Sequence, residues 1–109
     1  MRTMYKLCFY VPESHVSAVK DAVFTAGAGC IGDYDSCCWQ VLGQGQFRPR
    51  EGSQPYLGQT GTLEVVPEYR VELVCDGLTI RAAVEAMIAA HPYEEPAWDV
   101  VQLVTELPR

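Results

Sequence analysis

The sequence has no long apolar segment and no run of basic residues. No window reaches the roughly 18 consecutive apolar residues of a membrane-spanning helix, and the opening MRTMYKLCFYV lacks the apolar core and small-residue cleavage site of a signal peptide. Nucleic-acid affinity depends on cationic contacts with phosphate, whereas 8 Lys and Arg face 14 Asp and Glu, for a net charge of -6. We therefore expect a cytoplasmic protein that binds neither membranes nor nucleic acid.

The five cysteines show no disulfide or zinc-binding pattern. Their number is odd, C-x-x-C spacing is missing, and a chain of 109 residues is long enough to bury a core of its own. Cys37 and Cys38 are adjacent in a predicted strand, so their side chains point to opposite faces and cannot both bind one ion by simple geometry. We expect reduced thiols and a single domain over residues 1–109.

Apolar periodicity predicts the element order β-α-β-β-α-β. Four segments have the alternation or composition of strands, namely residues 5–11, 37–47, 62–75 and 98–104. Two others place apolar residues at helical spacing, namely residues 13–26 and 78–90. Two β-α-β units with right-handed crossovers most often interleave into a ferredoxin-like α+β sandwich, with a four-stranded antiparallel sheet and both helices on one face.

This topology brings distant parts of the chain to one end of the sheet, which we call the pole. Strand three is expected to lie between strands one and two and to run opposite to both. The end of strand one, the loop of residues 48–61 and the start of strand four then share one edge. The residues expected at the pole are His15, Arg48, Arg50, His91, Glu94 and Glu95.

The stretch HPYEEP at residues 91–96 supports two interpretations. Pro92 cannot continue a helix and restricts His91, and Pro96 repeats the restriction before the last strand, which favours a rigid helix-to-strand corner. Alternatively, His91, His15 and Glu94 supply nitrogen and oxygen ligands for a divalent metal ion. The sequence leaves both interpretations open.

The glycine-rich segment offers a second candidate site. Arg48 and Arg50 can bind phosphate or carboxylate in bidentate fashion, and Tyr93 in the neighbouring corner is a third candidate ligand-binding residue. Solvated loop charges are the alternative. Gly43 and Gly45 are more typical of a bulge or of close approach by another backbone than of a dinucleotide fingerprint, because no helix follows them.

No catalytic residue is predicted. No Ser, Cys or Thr accompanies a histidine in a recognisable nucleophile motif, and the carboxylates of residues 62–75 fall on one regular exposed face. We therefore expect a protein that is not an enzyme.

The sheet face without helices, which we call the open face, is expected to favour self-association. It mixes aromatic, apolar and paired charged groups, and a small domain gains burial by closed symmetric assembly. The residues predicted there are Cys8, Tyr10, Cys38, Leu42, Glu64, Glu68, Arg70 and Glu72. We expect a homo-oligomer, with a trimer preferred over a dimer.

Four stretches in fixed order resemble the YqfO-type insert domain of NGG-one-interacting-factor-three-like proteins, which also occurs as a stand-alone short form. They are YKLCFYVPESHVSAVKDAVFTAGAGCIGDYDSCCWQ, GQGQFRPREGSQPYLGQTG, EVVPEYRVELV and HPYEEPAWDV. The last is also similar to a segment of CutA proteins, which share a ferredoxin-like trimer architecture with PII signalling proteins. The resemblance implies a PII/CutA-like fold, a trimer, and a regulatory or ligand-sensing role for loop 48–61.

Three functions follow from these observations. The first is a non-enzymatic oligomeric binding or regulatory module that needs no cofactor and recognises a protein partner or a small-molecule effector. The second is a divalent-metal-binding protein of the CutA type, and the third is a small hydrolase. The PII nucleotide-binding motifs are not present, and the two-metal site of the full-length family lies outside the insert, so neither is implied here.

Overall fold

The computed structural model describes residues 3–109 as a two-layer sandwich of one sheet and two helices. The strands are β1 (Met4–Pro12), β2 (Trp39–Phe47), β3 (Glu64–Asp76) and β4 (Trp98–Leu103), and the helices are α1 (Val16–Thr25) and α2 (Ile80–Ala90). The strand order is β2-β3-β1-β4, and all neighbouring strands are antiparallel. The predicted ferredoxin-like fold is confirmed, with β3 between β1 and β2.

The core forms because alternate residues of β1 turn toward the helices. Leu7, Phe9 and Val11 are fully buried there, and they belong to one cluster with Val19 of α1 and Met87 of α2. Burying a side chain of this size stabilises a fold by about 1.5–3 kcal/mol. These contacts hold both helices on one face of the sheet and so fix which loops meet at the pole.

The helix ends follow local chain chemistry. Helix α1 is preceded by a 3₁₀ turn at Glu13–His15, so its α-helical part begins three residues after the predicted start at residue 13. It ends at Thr25, two residues before Gly27, whose φ of 108° suits glycine. Helix α2 ends where His91 turns extended before Pro92. Within residues 3–109, neither helix is long and apolar enough to cross a membrane.

The register of β2 corrects part of the predicted open face. Trp39 is paired with Glu72, and Leu42 with Tyr69. Because side chains alternate along strands, Leu42 shares the face of Tyr69, which is the helix side, and the prediction that placed it on the open face is wrong. Cys38 precedes the first residue of β2 and lies outside the alternation. Trp39 occupies the open face instead.

Candidate functional site

The pole contains an open cavity of about 350 Å³. It lies between the β2–β3 loop (residues 48–63) and the corner that joins α2 to β4 (residues 91–97). Its aromatic lining consists of Tyr10, Phe47, Tyr56 and Tyr93, and its charged lining consists of Arg48, Arg50, Glu68, Glu94 and Glu95. The three predicted ligand-binding residues therefore line a common cavity.

Tyr93 is the centre of the aromatic lining. Its ring centroid lies 6.1 Å from that of Phe47 and 6.2 Å from that of Tyr56, distances at which aromatic rings attract each other. On its other side, the ring of His91 lies 4.9 Å away. His15 reaches the group edge-on through Tyr56, at 5.7 Å. Five rings from four parts of the chain thus form one cluster, of which Phe47, Tyr56 and Tyr93 line the cavity.

His91 is held by hydrogen bonds at both ring nitrogens. Nε2 lies 2.7 Å from the main-chain oxygen of Tyr10, and the N–H of Tyr93 donates to Nδ1 over 3.1 Å. An oxygen acceptor on one side and an N–H donor on the other fix the neutral tautomer that carries its proton on Nε2. Burial lowers the pKa of His91 below its usual value, and its side chain is part of the structural corner.

Glu68 and Tyr93 join β3 to the corner across the cavity. The Tyr93 hydroxyl donates to Glu68 Oε2 over 2.9 Å. Burial, followed by this hydrogen bond to a carboxylate, raises the pKa of Tyr93 well above its usual value. The Glu68 side chain crosses β2 at Gly45, where an added Cβ would overlap its carboxylate. Gly45 therefore accommodates a side chain, whereas the sequence favoured a bulge or close approach by another backbone.

The β2–β3 loop is fixed by hydrogen bonds within itself and to the corner. The N–H of Gly61 donates to the oxygen of Pro49 over 2.8 Å, and the Ser53 hydroxyl donates to the oxygen of Arg50 over 2.6 Å. The N–H of Gln54 donates to Glu94 Oε1 over 2.9 Å. The loop is thereby tied to the corner that forms the opposite side of the cavity.

The two arginines of the loop are exposed and have no ion-pair partner in the part of the chain that the structure describes. Within residues 3–109, the salt bridges are those of Glu72 with Lys6 and Arg70, and no carboxylate pairs with Arg48 or Arg50. Both guanidinium groups are therefore available to a ligand in a chain whose net charge is -6.

The three predicted metal ligands are near one another but do not form a coordination set. Both ring nitrogens of His91 have protein partners, the Nδ1 of His15 lies 2.8 Å from the Ser14 hydroxyl, and Glu94 accepts from Gln54. In the part of the chain that is described, no three His, Cys, Asp or Glu residues are placed to hold a metal ion. Metal binding stays a prediction, and it would require His91 to give up a hydrogen bond.

Sequence reasoning missed part of the lining. Tyr10, Phe47 and Tyr56 were not proposed as site residues, although each lies at the end of a strand or in the loop that forms the pole. Their aromatic character and their position beside the predicted site could have identified all three from the sequence.

The fold places the chain in the class of CutA-like and PII-like sandwiches. CutA from Xylella fastidiosa superimposes with a TM-score of 0.69 at 18% identity, over 96% of this chain and 88% of that protein. GlnK from Bacillus subtilis, solved as an ATP complex, superimposes with a TM-score of 0.61 at 9% identity, over 94% and 84%. At these identities the likeness shows the fold alone.

Higher sequence similarity connects the chain to NIF3-related proteins. A Mycobacterium leprae protein named GTP cyclohydrolase 1 type 2 homolog is 54% identical over 99 residues, which are 91% of this chain and 26% of that protein. A Bacillus cereus protein related to NIF3 is 40% identical with a TM-score of 0.81, over 94% of this chain and 26% of that one.

The predicted resemblance is confirmed, since the chain is similar over most of its length to one segment of these proteins. It spans about a quarter of the length of the curated relatives it matches. It matches no protein-family model.

Proposed function

We propose that this protein is a binding or regulatory module that takes a small-molecule effector at the pole and is not an enzyme. The observation that carries the proposal is the cavity of about 350 Å³, in which four aromatic side chains lie beside two arginines that have no ion-pair partner among the described residues. Ligand sites are typically clefts of roughly 300–1,000 Å³ with an apolar lining and a few well-placed polar groups.

The state of the titratable groups supports binding over catalysis. A general acid or base works best with a pKa near the working pH, whereas the pKa of the Tyr93 hydroxyl is moved upward, away from neutrality. The two nitrogens of His91 are committed to main-chain groups. These residues shape the cavity, and proton transfer would first have to break their hydrogen bonds.

The names of the curated relatives refer to GTP cyclohydrolase, and the chain spans about a quarter of their length. We propose that any such activity depends on the remaining three quarters of those proteins. On this proposal, the present chain binds a ligand without converting it.

We also propose that the module works as a homotrimer assembled through the open face. Trp39, Val41 and Val101 lie on that face and are 59%, 43% and 52% exposed. Beside them lies the charged group of Lys6, Arg70 and Glu72. In a closed trimer each subunit meets its two neighbours through two different patches, and exposed apolar groups beside charges of both signs suit such contacts.

Native mass spectrometry of the mildly purified protein tests the proposal directly. The expected spectrum shows a trimer with retained small-molecule mass, and incubation with GTP should leave the nucleotide unchanged. Nucleotide conversion that disappears in Tyr93→Phe would contradict the non-enzymatic proposal. If the purified protein retains no small molecule, and a screen also finds no ligand that binds at the pole, the binding function loses its support.

A further inference from the structure

We infer that the pole cavity recognises a flat aromatic acid, with a carboxylate or phosphate at one end and an N–H donor on the ring. This inference rests on the proposed binding function and specifies its ligand class. Three features of the cavity carry it: an aromatic wall, two arginines that form no salt bridge within residues 3–109, and a carboxylate acceptor.

The aromatic wall selects for a planar ring. Tyr56 and Tyr93 have centroids 6.2 Å apart at an interplanar angle of 45°, and Phe47 continues the wall at 6.1 Å from Tyr93. Tyr56 is 49% exposed, so part of its ring surface is open to a ligand. A cavity of about 350 Å³ has room for one fused bicyclic ring and an acid group.

The arginines select for the acid. Arg48 and Arg50 line the cavity from the β2–β3 loop, and within residues 3–109 neither forms a salt bridge. A guanidinium group pairs with carboxylate and phosphate through two parallel hydrogen bonds. The loop that carries both side chains is closed by the hydrogen bond from Gly61 to Pro49, so the main chain from which they extend is held before a ligand arrives.

The carboxylates limit where the acid can lie and what the ring must carry. Glu68 Oε2 accepts from Tyr93, and Glu94 Oε1 accepts from Gln54. Glu68 Oε1 lies over Gly45 and has no donor among the described residues, and Glu68 is one of the residues that line the cavity. An anionic group near Glu68 or Glu95 would be repelled, whereas an N–H group would be accepted. The acid is therefore directed to the loop side, and a ring donor to Glu68.

A set of related probes tests each part of this inference. The protein is titrated with indole-3-acetate and with indoxyl phosphate, and amide chemical shifts are followed by NMR. The comparison probes are 1-naphthaleneacetate, which lacks the N–H, 3-methylindole, which lacks the acid, and tryptamine, which carries the opposite charge. The two acids should shift the signals of Ser53, Tyr56 and Tyr93 and leave Arg81 on α2 unchanged, and the tighter of the two identifies the acid type.

Substitutions test whether the two arginines bind the acid, and a third arginine serves as the control. The double change Arg48→Ala and Arg50→Ala should weaken binding of the acids by about tenfold or more, as expected for losing a charged contact. Arg81→Ala removes an exposed arginine of α2 and should leave the affinity unchanged. Replacing indole by naphthalene should weaken binding by roughly threefold or more, because Glu68 loses its donor.

Two results would overturn the inference. In the first, neither acid shifts the pole signals at about 10 mM, a concentration that detects even very weak complexes. In the second, 3-methylindole or tryptamine binds the pole as tightly as the acids. The second result would leave the pole a ligand site and refute only the ligand class, so it is distinguishable from failure of the proposed function.

Discussion

The Nε2 atom of His91 donates to the main-chain oxygen of Tyr10 over 2.7 Å, between residues 81 positions apart. The bond joins the end of helix α2 to strand β1 near that strand's carboxyl end. His91 is 7% exposed, so the bond is shielded from water. It fixes the corner from which Tyr93 and Glu94 reach the cavity, and the first two predictions follow from it.

Replacing His91 with alanine should destabilise the protein in the absence of any metal. The change leaves the Tyr10 oxygen and the Tyr93 N–H without their partner, and an unsatisfied buried group costs about 1–3 kcal/mol. The free energy of unfolding from urea titration measures the loss. His15→Ala, at the same pole but partly exposed, should change stability by less than about 0.5 kcal/mol.

The metal hypothesis makes a further prediction for the same two variants. It requires both histidines to contribute to zinc affinity, so that His91→Ala and His15→Ala each weaken zinc binding. Calorimetric titration with zinc decides between the two interpretations.

The stability of the fold should fall as the pH drops below about 6.5. Burial lowers the pKa of folded His91 below its unfolded value near 6.5, so the unfolded chain binds more protons between those two pKa values. The free energy of unfolding therefore decreases as the pH falls through this window and levels off below the folded pKa. Protonation also places an N–H at Nδ1 opposite the Tyr93 N–H.

The pH effect can be isolated with His91→Gln, because glutamine does not titrate. The difference in unfolding free energy between wild type and this variant should depend on pH in that window, while the carboxylates contribute equally to both proteins. A constant difference from pH 7 down to about pH 4.5 would show that His91 does not titrate as its burial predicts.

Gly45→Ala should disrupt the Tyr93–Glu68 hydrogen bond. The added methyl group overlaps the Glu68 carboxylate, which must swing away and release the Tyr93 hydroxyl. The expected cost is about 0.5–1.5 kcal/mol, measured by urea unfolding, with a downward shift of the Tyr93 pKa in an ultraviolet titration.

Gly43→Ala is the matched control for this change. Gly43 lies in the same strand, and nothing lies within 4 Å of a Cβ added there. Neither glycine has a positive φ, so this control should be neutral or stabilising by about 0.4–1 kcal/mol through the unfolded chain. Equal effects at both positions would show that Glu68 does not cross the strand at Gly45.

Val41→Glu should dissociate the proposed trimer. Val41 is 43% exposed on the open face opposite Arg70, and three new carboxylates at a closed interface would be buried at a cost. Native mass spectrometry should then detect monomers. Leu78→Glu, at an 80% exposed position before α2, should remain trimeric. A trimer that survives Val41→Glu would place the interface elsewhere.

Local patterns explain how much of the fold could be predicted. Residues 5–11 and 62–75 were predicted as strands and are observed at Met4–Pro12 and Glu64–Asp76, because alternating burial leaves a period of two in the sequence. The face of Leu42 was predicted wrongly. Most of β2 is exposed on both sides, so its sequence carries no clear alternation from which to read the register.

The sequence by itself determined the order of the elements and the meeting of the β2–β3 loop with the His91 corner, since periodicity and chain connectivity depend on nearby residues. Only the tertiary structure decided that His91 is buried and hydrogen-bonded, that Glu68 lies over Gly45, and that Tyr10 and Tyr56 line one cavity. These relationships depend on atomic packing between side chains that are far apart in the chain, and the spacing of residues in the sequence does not reveal that packing.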